Sequence, residues 1–294
     1  MKAREVRAIL EAHGVRPRKG LGQNFLLDET VLDRIVEAAQ LEPQDIVVEI
    51  GPGLGVLTDR LLEHAGHVVA VELDDKLVEI LRRRFAGEDR LLLVHDDILR
   101  VNVPQVIREW LSPPEPLRYK VVANLPYSIT SPAINHLLES RPPPERIVLL
   151  VQREVAERIA ARPGDMNLLA VRVQLYGQPR IVARVPASAF YPRPKVESAV
   201  LEIVPHVIPP VRVEDARGFM RLVEAGFRQR RKQLRNALAA GLGLPKQEVE
   251  RLLEAANIDF RRRAETLSLQ EWEQLYRAFA STTWASTSAK GAPG

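Results

Sequence analysis

The sequence predicts an α/β fold followed by a small all-helical domain, and three observations carry that prediction. From residue 42 to 151, short β-branched or aliphatic runs alternate with longer helix-like stretches, the pattern of a mostly parallel sheet covered by helices. A break follows at Pro205-His206-Val207-Ile208-Pro209-Pro210, because consecutive prolines support neither helix nor central strand. Beyond it, residues 214–280 are helical in pattern throughout. The 294 residues suffice for two domains of ordinary size.

The candidate strands are 46–50, 68–73, 91–94, 121–123 and 147–151. Between them, Leu57, Leu61 and Leu62 mark one helical stripe, and Leu77, Ile80 and Leu81 another. Residues 181–185 and 199–204 read as two further strands around a proline-rich loop, expected to close the sheet as an antiparallel pair. In the second domain the stripes are Phe219, Leu222, Val223 and Phe227; Leu234 and Leu238; Val249, Leu252 and Leu253; and Trp272, Leu275 and Phe279. Ser268 with Glu271 is a capping box for the last helix, and Asp28 is an N-cap near the start of the chain. The expected domains are 1–207, including a basic N-terminal segment, and 208–280. A tail at 281–294, rich in Ser, Thr, Ala and Gly, is expected to be disordered.

Composition excludes several chemistries. There is no cysteine, so disulfides, thiol nucleophiles, Cys zinc sites and iron–sulfur clusters are out, and no metal site is expected. No apolar run approaches the roughly 18 residues of a membrane span, and the N-terminus runs straight into charge, which reads as cytoplasmic. The net charge of +4 is unevenly spread. Residues 41–100 hold seven Lys or Arg against thirteen Asp or Glu, whereas 226–236 hold Arg228, Arg230, Arg231, Lys232 and Arg235 with no acid. Such a run is either a phosphate footprint or a solvated helix face.

Glu49-Ile50-Gly51-Pro52-Gly53-Leu54-Gly55 follows the first strong strand and leads into a helix, so Gly51 and Gly53 permit a tight turn and close approach to a ligand. The spacing is G-x-G-x-G, Pro52 removes a backbone donor, and no Gly-Lys-Ser/Thr is present, which excludes a phosphate-binding P-loop. Glu72, at the end of the next strand, is placed to accept from a ribose diol, as in nicotinamide and S-adenosylmethionine enzymes. Asp97 ends the following strand and could accept from an adenine amino group. After the fourth strand comes Asn124-Leu125-Pro126-Tyr127. An exocyclic adenine amine is a poor nucleophile because its lone pair is delocalised into the ring. The Asn124 side-chain oxygen and the Leu125 carbonyl would accept its two hydrogens and stabilise the developing positive charge. Pro126 stiffens the turn, and Tyr127 offers a ring to an unstacked base.

In order and spacing, these motifs resemble the ribosomal RNA adenine dimethyltransferases, in particular the small-subunit dimethyladenosine transferases. Further matching pieces are Leu21-Gly22-Gln23-Asn24-Phe25-Leu26, Gln152-Arg153-Glu154-Val155-Ala156, residues 190–199 (FYPRPKVESA) and residues 230–236 (RRKQLRN). The resemblance implies a Rossmann-like S-adenosylmethionine-dependent methyltransferase sheet with a C-terminal helical RNA-binding domain. The implied activity is dimethylation of two adjacent adenines near the 3′ end of small-subunit ribosomal RNA, within an immature subunit, by a monomer. By the same resemblance Gln23, Asn24 and Leu26 would cover the cofactor and Gly51 and Gly53 would line its methionine portion. Glu72 and Asp97 would hold its ribose and adenine, and Phe190 would contact the target base opposite Tyr127. It also turns Arg230, Arg231, Lys232 and Arg235 into RNA contacts on a cationic helix. Asp96 stands where the family often has Gly, and Met166-Asn167-Leu168 replaces an expected Tyr-Gly stretch. Competing readings are a large-subunit adenine methyltransferase of the macrolide-resistance type, a non-catalytic RNA-binding assembly factor and a nicotinamide dehydrogenase.

Overall fold

The computed structural model describes residues 3–15, 17 and 23–289, so Leu21 and Gly22 of the N-terminal motif lie outside the described residues. It forms two units, Met1–Glu157 with Gly177–Pro205, and Arg158–Tyr176 with His206–Gly294. The chain begins with α1 (Ala3–Ala12), β1 (Phe25–Leu26), α2 (Glu29–Ala39), β2 (Ile46–Ile50), α3 (Val56–His64), β3 (His67–Glu72) and α4 (Asp75–Arg84). Next come β4 (Leu91–His95), α5 (Val103–Leu111), β5 (Lys120–Asn124), α6 (Thr130–Glu139), β6 (Arg146–Gln152) and α7 (Arg153–Ile159). The remainder is α8 (Leu168–Tyr176), β7 (Gly177–Val185), β8 (Phe190–Tyr191), β9 (Ser198–Pro205), α9 (Ala216–Phe227), α10 (Leu234–Leu242), α11 (Lys246–Ala255) and α12 (Leu269–Ala289).

The main sheet of the first unit runs in the order β4-β3-β2-β5-β6-β9-β7. Its first five strands are parallel, and β9 pairs antiparallel with both β6 and β7, as expected from the sequence. Helices cover both faces, which is why the central strands read as unbroken apolar runs: Val47, Val48, Val121, Val122, Ile147 and Val148 are fully buried. Two acids on or beside the sheet have cationic partners. Glu202 on β9 sits between Arg146 and Arg180, and Lys120 bonds Asp45 at 2.7 Å. The Asp28 carboxylate caps α2 by accepting from the N–H groups of Thr30 and Val31. Helix α1, unforeseen in the sequence, buries Val6 and Leu10 against Phe25, Leu54, Leu77 and Ile80. A two-stranded ribbon pairs β1 with β8, Leu26 opposite Phe190.

The helical unit packs α8 to α12 around Phe219 and Trp272, both fully buried. Its membership corrects the expected boundary at 207/208, because the chain enters this unit twice. Met166, Ala170, Val171 and Leu175 belong to its core, and the Glu265 carbonyl accepts from the N–H groups of Gly164 and Met166 at 2.9 and 3.1 Å. Composition shows only the proline break, while the apolar run of α8 finds its partners some 50 residues further along the chain, on α9. The Met166-Asn167-Leu168 departure is explained here: Met166 fills the core, and the Asn167 side chain caps α8 by accepting from Ala170 N–H at 3.1 Å. The capping box forms reciprocally, with Ser268 N–H donating to Glu271 at 2.8 Å and Glu271 N–H donating to the Ser268 hydroxyl at 3.2 Å. From there α12 continues to Ala289, through much of the expected tail. The Ser281 hydroxyl bonds back to the carbonyls of Arg277 and Ala278, so it does not compete with the helical backbone. Residues 290–294 lie outside the described residues.

Among the described residues, no helix is long and apolar enough to cross a membrane, and no cluster of His, Asp or Glu is disposed to hold a metal ion.

Helices α9 and α10 meet where Gly241 faces Ala225: a Cβ on Gly241 would lie 2.6 Å from the Ala225 Cβ and 2.7 Å from its Cα. Backbone cannot swing aside as a side chain can. Gly241→Ala is therefore expected to destabilise the protein by about 1–3 kcal/mol in urea denaturation, despite the better helix propensity of alanine.

Candidate functional site

Parallel pairing of β2 with β3 on one side and β5 on the other reverses the strand order between β2 and β5. Open sheets of this kind bind ligands beyond the carboxyl ends of the strands at that point. A cleft lies there, and its lining includes all ten residues expected to hold the cofactor or the target adenine from this end of the sheet, Gln23, Asn24, Leu26, Gly51, Gly53, Glu72, Asp97, Asn124, Leu125 and Tyr127. Gly51 and Gly53 have φ of +65° and +63°, the left-handed region that a side chain disfavours. A Cβ on Gly53 would also come within 3.3 Å of the Phe25 ring, and one on Gly51 would be 4.0 Å from the Asn124 carbonyl oxygen and Pro126. These glycines let three loops converge.

The cleft is acidic. Glu72, only 6% exposed, accepts from Gly53 N–H at 3.2 Å through Oε2, and from Leu73 and Asp74 N–H at 3.0 and 2.9 Å through Oε1. Three of its four acceptor positions are thus used, leaving one on Oε2 for a ligand hydroxyl. Burial raises its pKa, against the lowering pull of the Asp74, Gly53 and Leu73 N–H groups. Behind it, Glu49 is buried and accepts from the Thr58 hydroxyl at 2.6 Å. Desolvation pushes its pKa up to about 8, with the nearby charge of Glu72 adding to the effect. Asp97 accepts from Leu99 N–H at 3.0 Å through Oδ1, and no described residue donates to its Oδ2. The exposed Asp96 accepts from Asp97 N–H at 2.7 Å, so the added charge serves the turn.

Opposite the glycine loop, Asn124 donates from Nδ2 to the Asn24 carbonyl at 3.0 Å, which leaves Oδ1 as its free acceptor. Leu125 is buried, its N–H tied to the Leu150 carbonyl at 3.2 Å, and among the described residues none donates to its own carbonyl oxygen. Tyr127 is half-buried, and its hydroxyl is 3.0 Å from that of the fully buried Ser198 on β9. The N-terminal segment closes this side: Gln23 donates to Asp74 at 3.2 Å, and Leu26 lines the cleft from β1.

The expected RNA contacts fare differently. Phe190 is 4% exposed and packs in the core with Leu26 and Leu32, so it does not face the cleft; strand alternation on β8 turns it inward. Arg235 pairs with Glu250 and stacks over Phe260 with its guanidinium 5.0 Å from the ring, which makes it a tie within the helical unit. Arg230, Arg231 and Lys232 are exposed and form no ion pair among the described residues, but they lie in the turn between α9 and α10, not on a helix. Sequence reasoning assigned no role to Phe25, Glu49 or Ser198. All three stand in the recognised motifs, but nothing in the sequence signals that Ser198 would meet Tyr127.

Residues 14–280 match the family model described as ribosomal RNA adenine dimethylase. The chain belongs to this family. Within it, the chain is 46% identical over 279 residues to ribosomal RNA small subunit methyltransferase A of Dehalococcoides mccartyi (strain CBDB1), covering 94% of this chain and 93% of that protein. The crystal structure of a dimethyladenosine transferase from Plasmodium falciparum matches with a TM-score of 0.72 at 25% identity, over 88% of this chain and 98% of the other. The 23S rRNA methyltransferase ErmE matches with a TM-score of 0.67 at 27% identity, over 87% and 100%. The adenine dimethylase fold thus accounts for both units of the chain.

Because Glu49 stays protonated in the folded protein up to about pH 8 but ionises near its ordinary 4.5 when unfolded, unfolding releases a proton between these values. Its contribution to native stability therefore falls as pH rises from about 4.5 to about 8. Glu49→Gln should keep the Thr58 hydrogen bond and flatten this decline, as measured by urea denaturation across that range.

Proposed function

We propose that the protein transfers methyl groups from S-adenosylmethionine to the N6 amines of two adjacent adenines in the 3′-terminal hairpin of small-subunit ribosomal RNA. The observation that carries this reading is the clamped amide of Asn124: with Nδ2 held by the Asn24 carbonyl, Oδ1 is left as an acceptor, in the same cleft lining as Leu125. Two fixed acceptors in one cleft suit an amine with two hydrogens. The higher identity to a small-subunit enzyme than to a 23S enzyme favours the small-subunit substrate.

The residues present fit the cofactor. Glu72 has an acceptor position left for the ribose, Asp97 has a free carboxylate oxygen for the adenine amine, and Gly51 and Gly53 keep the loop clear for the methionine portion. Gln23, Asn24 and Leu26 cover it from the N-terminal side. When bound, S-adenosylmethionine supplies a methyl group activated by a sulfonium charge, and an acid-lined cleft attracts such a cation. Asn124 and Leu125 hold the adenine amine by its hydrogens, favour a pyramidal nitrogen and stabilise its positive charge as the new bond forms. The resulting centre is strongly acidic, so no strong base is required of the protein. Tyr127, oriented through Ser198, offers its ring to the unstacked base. Arg230, Arg231 and Lys232 contact RNA phosphates. The reading extends to a monomer acting in the cytoplasm on RNA within an immature subunit, where such a hairpin is still accessible.

Labelled methyl groups should enter small-subunit RNA as dimethyladenosine at two adjacent positions on mass mapping. Labelling of 23S RNA instead would overturn the substrate; no labelling of either would overturn the activity. Asn124→Ala should lower kcat by about 100-fold or more, the scale of a lost transition-state acceptor, with little change in S-adenosylmethionine affinity by calorimetry. Ser198→Ala should lower kcat more mildly, through a less ordered Tyr127 ring.

A further inference from the structure

The helical unit carries a groove of about 820 Å³, of whose lining the proposed function uses Arg230 alone. Its floor is apolar, formed by Leu222 and Phe227 of α9 and Leu242 of α10, beside the close crossing of Gly241 and Ala225. Four arginines surround it: Arg158, Arg221, Arg228 and Arg230. Arg158, Arg228 and Arg230 are exposed and form no ion pair among the described residues, and Arg221 reaches Asp215 only at 4.0 Å while 78% exposed. The acid on the rim, Glu224, is already matched by Arg172 at 3.0 Å. Net positive charge therefore surrounds an apolar floor.

We propose that this groove is a second RNA site, which takes one unpaired nucleotide of the substrate with its base against Phe227 and Leu242 and its flanking phosphates on the arginines. A purely phosphate-tracking surface has no use for an apolar floor, and a groove for an apolar peptide has no use for four cations. Unpaired nucleotides present both a π-face and charge, which is how single-stranded RNA is held elsewhere by aromatic and arginine side chains. The sequence run 226–236 contributes Phe227, Arg228 and Arg230, while Arg158 and Arg221 join them only through the fold. This inference rests on the reading that the substrate is RNA.

The test uses the full chain and the double variant Arg221→Glu, Arg228→Glu. Binding is measured to small-subunit RNA, to a short single-stranded oligoribonucleotide and to a fully paired duplex of equal length. The variant should bind the single strand about tenfold more weakly, and its slope of log affinity against log salt should fall by about 1.4, two contacts at about 0.7 each. Duplex binding should change far less. RNA carrying 4-thiouridine should crosslink the wild-type chain to a peptide containing Phe227. Unchanged affinity for single-stranded RNA would overturn the groove, and equal losses for duplex and single strand would overturn the unpaired-nucleotide assignment. Lost binding to assembled subunits with unchanged binding to naked RNA would assign the groove to a protein partner instead. Methyl transfer by the wild type is measured alongside: its absence overturns the proposed function, whereas the groove is judged on RNA binding alone.

Discussion

Where β2 pairs with β5, the sheet changes direction of growth, and the connections leaving the two strands run to opposite faces. The parallel register aligns Ile50 with Ala123, so the loops that follow emerge side by side, and Gly51 can lie against Asn124 and Pro126. Every feature of the cleft depends on that alignment. A slip of one residue would turn the strand interiors toward the other face and carry Asn124 away from the glycine loop. The ribbon of β1 and β8 adds the third side, bringing the Asn24 carbonyl to the Asn124 amide across 100 residues of sequence.

Packing this many acids around one cleft has an energetic cost, and the structure shows how it is met. Glu72 is stabilised by three backbone N–H groups, whereas Glu49, more deeply buried and with the Thr58 hydroxyl as its partner, keeps its proton. Burial raises the pKa of both carboxyls; three backbone N–H groups oppose that rise at Glu72, whereas at Glu49 the Thr58 hydroxyl opposes a larger one. The helical unit handles charge in the opposite way. Arg235 and Arg262 are absorbed by Glu250 and Glu271, and the cations of the α9–α10 turn are left to solvent.

Much of the first unit was legible because its strands are buried on both faces and flanked by turn residues: 46–50 matches β2 in full, β3, β4, β5, β6 and β9 differ by one residue at one or both ends, and β7 starts at Gly177, four residues before the expected 181. Gly51, Glu72, Asp97 and Asn124 were legible because each stands at or just past a strand's carboxyl end, where the fold class places ligands, whereas Gln23, Asn24 and Leu26 entered through the resemblance. What was not legible depends on distant partners. A two-residue strand has no alternation to read, so the sequence could not tell that Phe190 turns into the core. Arg230 and Arg235 look alike in one basic run, and only the fold sets Glu250 and Phe260 beside the second. The short stripe of Val6, Ile9 and Leu10 on α1 is too brief to stand out without the surface it covers.

The double entry of the chain into the helical unit bears on how such a protein can be divided or recombined. An exchange of everything after the proline break, as though the two units were beads on a string, would leave α8 behind with Val171 and Leu175 stripped of Phe219 and Trp272. The orphaned helix would be a sticky segment inside the donor of the first unit, and the transplanted helices would carry a hole. Inheritance of the two units is therefore linked: a viable chimera needs two junctions, one on each side of α8, and residues on α8 and α9 should change together across relatives.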